Sequence, residues 1–325
     1  MQEKEKIRVG ILGCANIAIR SLIPAFFNHP KFCLQAVGSR DISKAKTIAE
    51  QYKIEYCNYD ELLEKENIDI IYMPLPTGLH KEWVIKSIEK GKHILCEKSL
   101  GLSFKDVEEM VNVAKINHKA LIENFQFQYH SQQQFIKNIL KQGELGEIRC
   151  FRSSFGFPPF HDLNNIRYSK SLGGGALLDA GAYTIKATQF FLEDTFTVTS
   201  AKSVKTKNHE VDIYGGGFLE SNSGQIAEIA FGFDNFYQCN IEIWGSKGKL
   251  TANRVFTAPP DFTPDVILET PQGMKQYQLP ADNHFDKMLD HVAESIEQEN
   301  YEMDYTVNCN QALLIQQFKN ISDGK

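Results

Sequence analysis

Between Ile7 and Ile122 the chain repeats one pattern: a short apolar run, a turn, then apolar residues at helical spacing. Ile7–Leu12 reads as a strand, and Ile17–Asn28 as a helix in which Pro24 marks an irregularity. Leu34–Ser39 reads as a second strand, followed by a helix that Asp41 or Ser43 would cap. Ile68–Met73 is continuously apolar, as in strands buried on both faces. Trp83, Val84, Ser87 and Ile88 then recur at helical spacing, and His93–Cys96 is a further strand. Ser103 and Asp106 have capping-box spacing ahead of Val107, Met110, Val111 and Ala114, and Ala120–Ile122 closes the series. Strands and helices in alternation imply a parallel sheet covered by helices.

The character changes near residue 124. An amphipathic helix over Ser131–Lys141 and a turn at Gly143–Gly146 lead into β-rich sequence. Candidate strands are Ile148–Phe155, Val198–Val204, Val211–Glu220, Gln225–Phe233, Asn240–Trp244, Val266–Glu269 and Gln276–Leu279. Short turns such as Asn222-Ser223-Gly224 join several of them, which argues for an antiparallel sheet. Helices over about 285–298 and 307–319 finish the chain. The fold class is therefore an α/β domain over residues 1–123 and an α+β domain over 124–325 with a large, mostly antiparallel open sheet. At 325 residues, two domains are the ordinary outcome.

Composition narrows the function. A net charge of −6 without any concentrated Lys/Arg stretch argues against nucleic acid or an anionic membrane as partner. The charged start at Met1–Lys6 lacks the apolar stretch of a secretion signal, and no apolar run reaches membrane-spanning length. Seven dispersed cysteines without a Cys-x-x-Cys pair suit reduced thiols in the cytoplasm and give no zinc pattern. No metal is expected.

Between the first strand and first helix stands Gly13-Cys14-Ala15-Asn16-Ile17-Ala18. The dinucleotide fingerprint asks for glycine at the first, third and sixth of these positions. Gly13 keeps the tight turn, and Ala15 and Ala18 substitute the smallest side chain that still admits a pyrophosphate. The helix start then offers N–H donors and a positive dipole end. A purely structural turn would look much the same. Ser39 lies 21 residues beyond Ala18 (39 − 18), where an NAD site places an acid on the ribose 2′-hydroxyl. Here Ser39-Arg40 offers a hydroxyl and a guanidinium, which suit a 2′-phosphate and hence NADP(H). The other reading of Arg40 is a solvated surface charge beside a capping Asp41.

Four further segments resemble the glucose–fructose oxidoreductase / inositol dehydrogenase / rhizopine-catabolism (Gfo/Idh/MocA) family. Leu95-Cys96-Glu97-Lys98-Ser99-Leu100 is similar to its Glu-Lys-Pro motif, with serine in place of proline. Gly173-Gly174-Gly175-Ala176-Leu177-Leu178-Asp179-Ala180-Gly181-Ala182-Tyr183 resembles its Gly-Gly-Gly-x-Leu-x-Asp-x-Gly-x-His segment, with tyrosine for histidine. Pro74-Leu75-Pro76-Thr77 with His80, and Gly143–Ile148, match two more elements in family order. Within the family, Gly10–Ala15, Tyr72–Pro76, Arg167-Tyr168 and Tyr183 resemble the NADPH-dependent C-3 ketoreductases of nucleotide-linked deoxysugars.

This resemblance implies reduction of a sugar ketone, with Lys98, Tyr183 and Asp179 as the reacting or orienting groups. Chemistry agrees: a developing alkoxide needs a proton donor or positive charge. Lys98 leaves a strand at its C-terminal end, where open α/β sheets hold ligands, and Tyr183 carries a phenol able to donate a proton. Asp179 is a substrate acceptor or a helix-start cap. Gly13, Cys14, Ala15, Asn16, Ile17, Ser39, Arg40, Pro74, Leu75, Pro76, His80, Glu97 and Lys98 form the expected cofactor set. His80 also reads as a packing residue. Gln126, Tyr129, His130, Phe157 and Arg167 join Asp179 and Tyr183 as substrate candidates, Arg167 for a diphosphate or sugar and Phe157 in a Pro-stiffened loop.

Family members commonly use the antiparallel sheet to form dimers or tetramers, which implies a homodimer or homotetramer here. Three other functions stand beside the leading one. They are an NADP-dependent dehydrogenase of free sugars, cyclitols or dihydrodiols, a redox-neutral glycoside-cleaving enzyme with tightly held NAD, and a non-enzymatic NADP-binding regulator. Ser39-Arg40 and Tyr183 count against the second, and Lys98, Asp179 and Tyr183 together against the third.

Overall fold

A computed structural model describes residues 5–162 and 164–324; the first four residues of the charged N-terminal stretch lie outside them. The chain forms two units: residues 5–124 with Phe285–Asn310, and Phe125–His284 with residues 311–324.

The first unit is built on six parallel strands in the order β3-β2-β1-β4-β5-β6. These are β1 (Ile7–Leu12), β2 (Phe32–Gly38), β3 (Glu55–Cys57), β4 (Ile70–Met73), β5 (His93–Glu97) and β6 (Leu121–Asn124). Every residue of β4 is buried, as its unbroken apolar sequence requires. The helix after β1 begins at residue 16 and passes through a π turn, Ala18–Leu22, into α1 (Ile23–Asn28). Ile23 N–H reaches back to Ala18 O, and the next residue is Pro24, which has no N–H to continue the α ladder. Helices α2 (Ile42–Tyr52), α3 (Tyr59–Leu63), α4 (Thr77–Glu89) and α5 (Phe104–Ile116) complete the alternation. Asp41 caps α2 by accepting from Ser43 N, and Ser103 Oγ caps α5 by accepting from Asp106 N.

The division at residue 124 needs one amendment. Residues 285–310 belong with the first unit, whereas the sequence places them in the second domain. They comprise most of α8 (His284–Gln298) and the start of α9 (Glu302–Ser322). Tyr305 OH donates to Lys119 O and Asn308 Nδ2 to Leu121 O, fixing α9 to the approach and start of β6. Contacts between residues some 190 positions apart leave no local sequence signal.

The second unit holds an eight-stranded sheet, β14-β13-β12-β11-β7-β10-β9-β8. Its strands are β7 (Ile148–Gly156), β8 (Phe196–Lys205), β9 (Asp212–Ser221), β10 (Ile226–Gly232), β11 (Gln238–Gly245), β12 (Lys249–Asn253), β13 (Asp265–Thr270) and β14 (Gly273–Gln278). All neighbours are antiparallel except β7 and β10, which run parallel. Phe151, Ile229, Phe231, Ile241 and Ile243 alternate onto a buried face, with α7 (Ala182–Leu192) among the elements sharing its core. The opposite face carries Arg152, Glu228 and Glu242, with Tyr214, Phe218, Ile226 and Trp244 each more than 40% exposed. Helix α6 (Ser131–Lys141) has the extent its periodicity predicts.

Candidate active site

In the first unit the turn after β1 is fixed by glycine. Gly13 has φ +125°, and its N–H donates to Gly38 O at 2.9 Å, tying the ends of β1 and β2 together. A Cβ there would stand 3.0 Å from the Leu75 side chain, so both conformation and space call for glycine. Cys14 and Ala15 are half-buried, and Asn16 and Ile17 are exposed at the helix start. Burial pushes the Cys14 thiol pKa up, with Ser39 opposing the rise.

Ser39 is buried: its N–H donates to Cys57 O and its Oγ accepts from Asp41 N. Arg40 is exposed, and its charge opposes the rise that burial causes in the Tyr59 phenol pKa. The neighbouring carboxylate is turned away. Asp41 accepts from both N and Oγ of Ser43, and the Ser43 hydroxyl holds its pKa below the usual range. A hydroxyl and a guanidinium thus stand at the tip of β2 with the acid occupied elsewhere.

Beyond β4, Pro74, Leu75 and Pro76 lead into α4. His80, expected as a cofactor contact or a packing residue, takes the packing role. It is fully buried, with Nε2 2.7 Å from Leu75 O and Nδ1 3.0 Å from Ser99 O. Protonation would satisfy both carbonyls, but burial, aided by the Lys98 charge, drives its pKa down.

Glu97 ends β5, and its Oε1 accepts from Tyr72 OH at 2.8 Å and Asn124 Nδ2 at 2.7 Å. Burial raises its pKa, while these two donors and the adjacent Lys98 oppose the rise. Glu97 therefore joins the tips of β4, β5 and β6. Glu123 takes the N–H of Leu100 at 2.7 Å and anchors the segment beyond Lys98. Lys98 is half-buried at the carboxyl end of the sheet, and the peptide bond entering Ser99 is cis.

In the second unit, Tyr183 lies in the first turn of α7 and is 6% exposed. Phe125, Phe155, Phe127 and Phe256 surround its ring at 5.2–5.9 Å between centroids. Asp179 precedes it in a π turn, Leu177–Gly181, and its Oδ2 accepts from Arg167 Nε at 2.6 Å. The Arg167 guanidinium also stacks on Phe160, 5.0 Å from the ring centre. Arg167 is thus committed to Asp179.

The other substrate candidates divide. Gln126 is buried and Tyr129 half-buried on one 3-10 turn, while the Phe157 ring packs on Phe155, Phe160 and Phe233. His130 is corrected to a helix cap. It is 1% exposed, its Nδ1 accepts from Gln132 N, and its ring lies against His284. Sequence reasoning missed Tyr72, Asn124 and Asp212, the last of which accepts from Leu177 N at 2.6 Å. A polar residue at each of three neighbouring strand tips was the available signal for the first two.

The pattern of the oxidoreductase family with an NAD-binding Rossmann fold matches residues 7–125, and that of the GFO/IDH/MocA C-terminal domain matches 134–251. The chain belongs to the GFO/IDH/MocA family. A dTDP-3,4-didehydro-2,6-dideoxy-alpha-D-glucose 3-reductase of Saccharopolyspora spinosa is 36% identical over 294 residues, 90% of this chain and 88% of that protein. The crystal structure of a 3-ketoreductase from Actinomadura kijaniata in complex with NADP and TDP-benzene superposes with a TM-score of 0.94 at 35% identity. It covers 97% of this chain and 98% of that one. A D-xylose 1-dehydrogenase (NADP(+)) of Haloferax volcanii is 30% identical, covering 80% of each chain. Among the described residues, no helix is long and apolar enough to cross a membrane.

Proposed function

We propose that this GFO/IDH/MocA oxidoreductase uses NADPH to reduce the C-3 keto group of a nucleotide-linked deoxysugar. The carrying observation is the likeness, over about nine-tenths of both chains, to a 3-reductase of a dTDP-linked keto sugar.

The first unit fits the cofactor. Gly13 makes the tight turn ahead of the helix, the helix beginning at residue 16 offers its first N–H groups, and Ser39 with Arg40 suits the 2′-phosphate. Leu75 and Pro74 line the same turn. Glu97 positions Lys98. Bound NADPH supplies the hydride that adds to the keto carbon. As the carbonyl π pair moves onto oxygen, the Lys98 ammonium stabilises the growing negative charge. The Tyr183 phenol gives its proton to that oxygen and recovers one from solvent. Asp179 accepts a substrate hydroxyl, held by Arg167. The balance is ketone, NADPH and a proton to alcohol and NADP. Incubation with dTDP-linked 3-keto sugars should oxidise NADPH stoichiometrically; silence over that panel would defeat the proposal.

The Haloferax relative favours a second reading, dehydrogenation of a free sugar. Thymidine diphosphate, binding and competing with substrate only under the first reading, separates the two.

The exposed sheet face suits a second copy of this chain, giving a homodimer or homotetramer: its aromatics flank a Glu228–Arg152–Glu242 network. A monomer by light scattering at micromolar concentration would exclude this. Seven thiols, none in a disulfide, fit the cytoplasm.

A further inference from the structure

The arginines of the second unit are held in two different ways. Arg149, Arg152 and Arg167 each face a carboxylate, from Glu147, from Glu228 with Glu242, and from Asp179. Arg254, just past β12, faces none among the described residues. Its Nη1 donates to the Tyr237 hydroxyl at 2.7 Å, and its guanidinium lies 5.1 Å from the Tyr237 ring centre and 5.8 Å from that of Phe262. A phenol is a neutral acceptor, so the charge is oriented but not cancelled.

Position links this cation to Tyr183. Two residues after Arg254, the Phe256 ring stands 5.6 Å from that of Tyr183 and 5.2 Å from Phe155. Arg254 thus lies two residues along the chain from a ring of the cluster that surrounds Tyr183.

We propose that Arg254, oriented by Tyr237 and flanked by Phe262, binds the diphosphate of the substrate. This rests on the nucleotide-linked-sugar reading. The sequence offered Arg167 for that anion, but Arg167 is committed to Asp179. The guanidinium has donors beyond the one Tyr237 takes, enough for a forked contact to phosphate oxygens.

Calorimetric titration of the NADP-saturated protein with thymidine diphosphate and with thymidine tests this. Arg254→Met should weaken thymidine diphosphate by roughly 10–100-fold, the worth of a charge-assisted hydrogen bond, and leave thymidine and NADP affinity unchanged. Arg254→Lys, which keeps the charge and loses the fork, should fall between. Thymidine diphosphate affinity within twofold of wild type in both variants would overturn the assignment alone. Failure of the wild-type protein to bind it would overturn the nucleotide-sugar reading and the assignment with it. If Arg254→Met disturbs NADP binding, Arg254→Lys and Tyr237→Phe carry the test, with the same twofold limit.

Discussion

Asp212 Oδ2 accepts the backbone N–H of Leu177 at 2.6 Å, so the start of the segment bearing Asp179 and Tyr183 is capped by a carboxylate 35 residues away. Its other oxygen occupies the space where a Cβ on Gly175 would stand, and Gly175 has φ +118°. The last glycine of the run is therefore set by this carboxylate as much as by any ligand. Burial raises the Asp212 pKa, and the Leu177 N–H opposes that rise.

Replacing Asp212 by alanine should remove the cap and cost about 1–2 kcal/mol of stability. It should also lower kcat, because Tyr183 is carried by the helix that loses its anchor. Urea unfolding and steady-state kinetics check the two parts; unchanged kcat in a measurably destabilised variant would separate the cap from catalysis.

Lys98→Ala and Tyr183→Phe should each reduce kcat by roughly 10²–10⁴-fold, the usual worth of a positioned proton donor or electrostatic partner. NADPH affinity should be nearly unaffected in Tyr183→Phe. Single-turnover oxidation of NADPH measures the chemical step directly, and near wild-type rates would remove the residue concerned from the mechanism.

Arg40→Ala should weaken NADPH by about tenfold or more while sparing NADH, since only the former carries the 2′-phosphate. Ser39→Asp should go further and reverse the preference by placing a carboxylate against that phosphate. Fluorescence titration with both cofactors reads the ratio. Equal losses for the two would make Arg40 a surface charge after all.

His93 accepts from Ala120 N through Nδ1, and burial, aided by Lys119, lowers its pKa to about 4. An unfolded imidazole titrates near pH 6.5. The folded state therefore resists a proton that the unfolded state accepts, and stability is lost as pH falls from about 6.5 to about 4. The slope is about 1.4 kcal/mol per pH unit for one such group. His284, also near 4, adds a second contribution of the same sign. Urea unfolding across this window should show a shallower slope for His93→Gln; an identical slope would count against the assignment.

Buried parallel strands could be read because they leave unbroken apolar runs, as at Ile70–Met73, and amphipathic α6 because only one of its faces is buried. Strand β3 has three residues, two of them exposed, and carries no pattern. Helix α7 is buried from Ala182 to Thr188, which erases the polar face that periodicity needs. The site divides similarly. Gly13 and Ser39-Arg40 could be placed at strand ends because their positions follow the chain locally. Tyr72, Asn124 and Asp212 act on partners 25, 27 and 35 residues away, where spacing says nothing. His80 and His130 each allowed a ligand or a packing reading, since residue type suits both, and their burial and backbone partners fit the packing one.

The His80 imidazole ring lies between the carbonyls of Leu75 and Ser99, between the wall after β4 and the residue that follows Lys98. A neutral imidazole has one N–H, so the ring donates to one of these carbonyls and packs against the other. The wall after β4 and the residue following Lys98 therefore share one buried ring, and a change in either alters which carbonyl that ring serves.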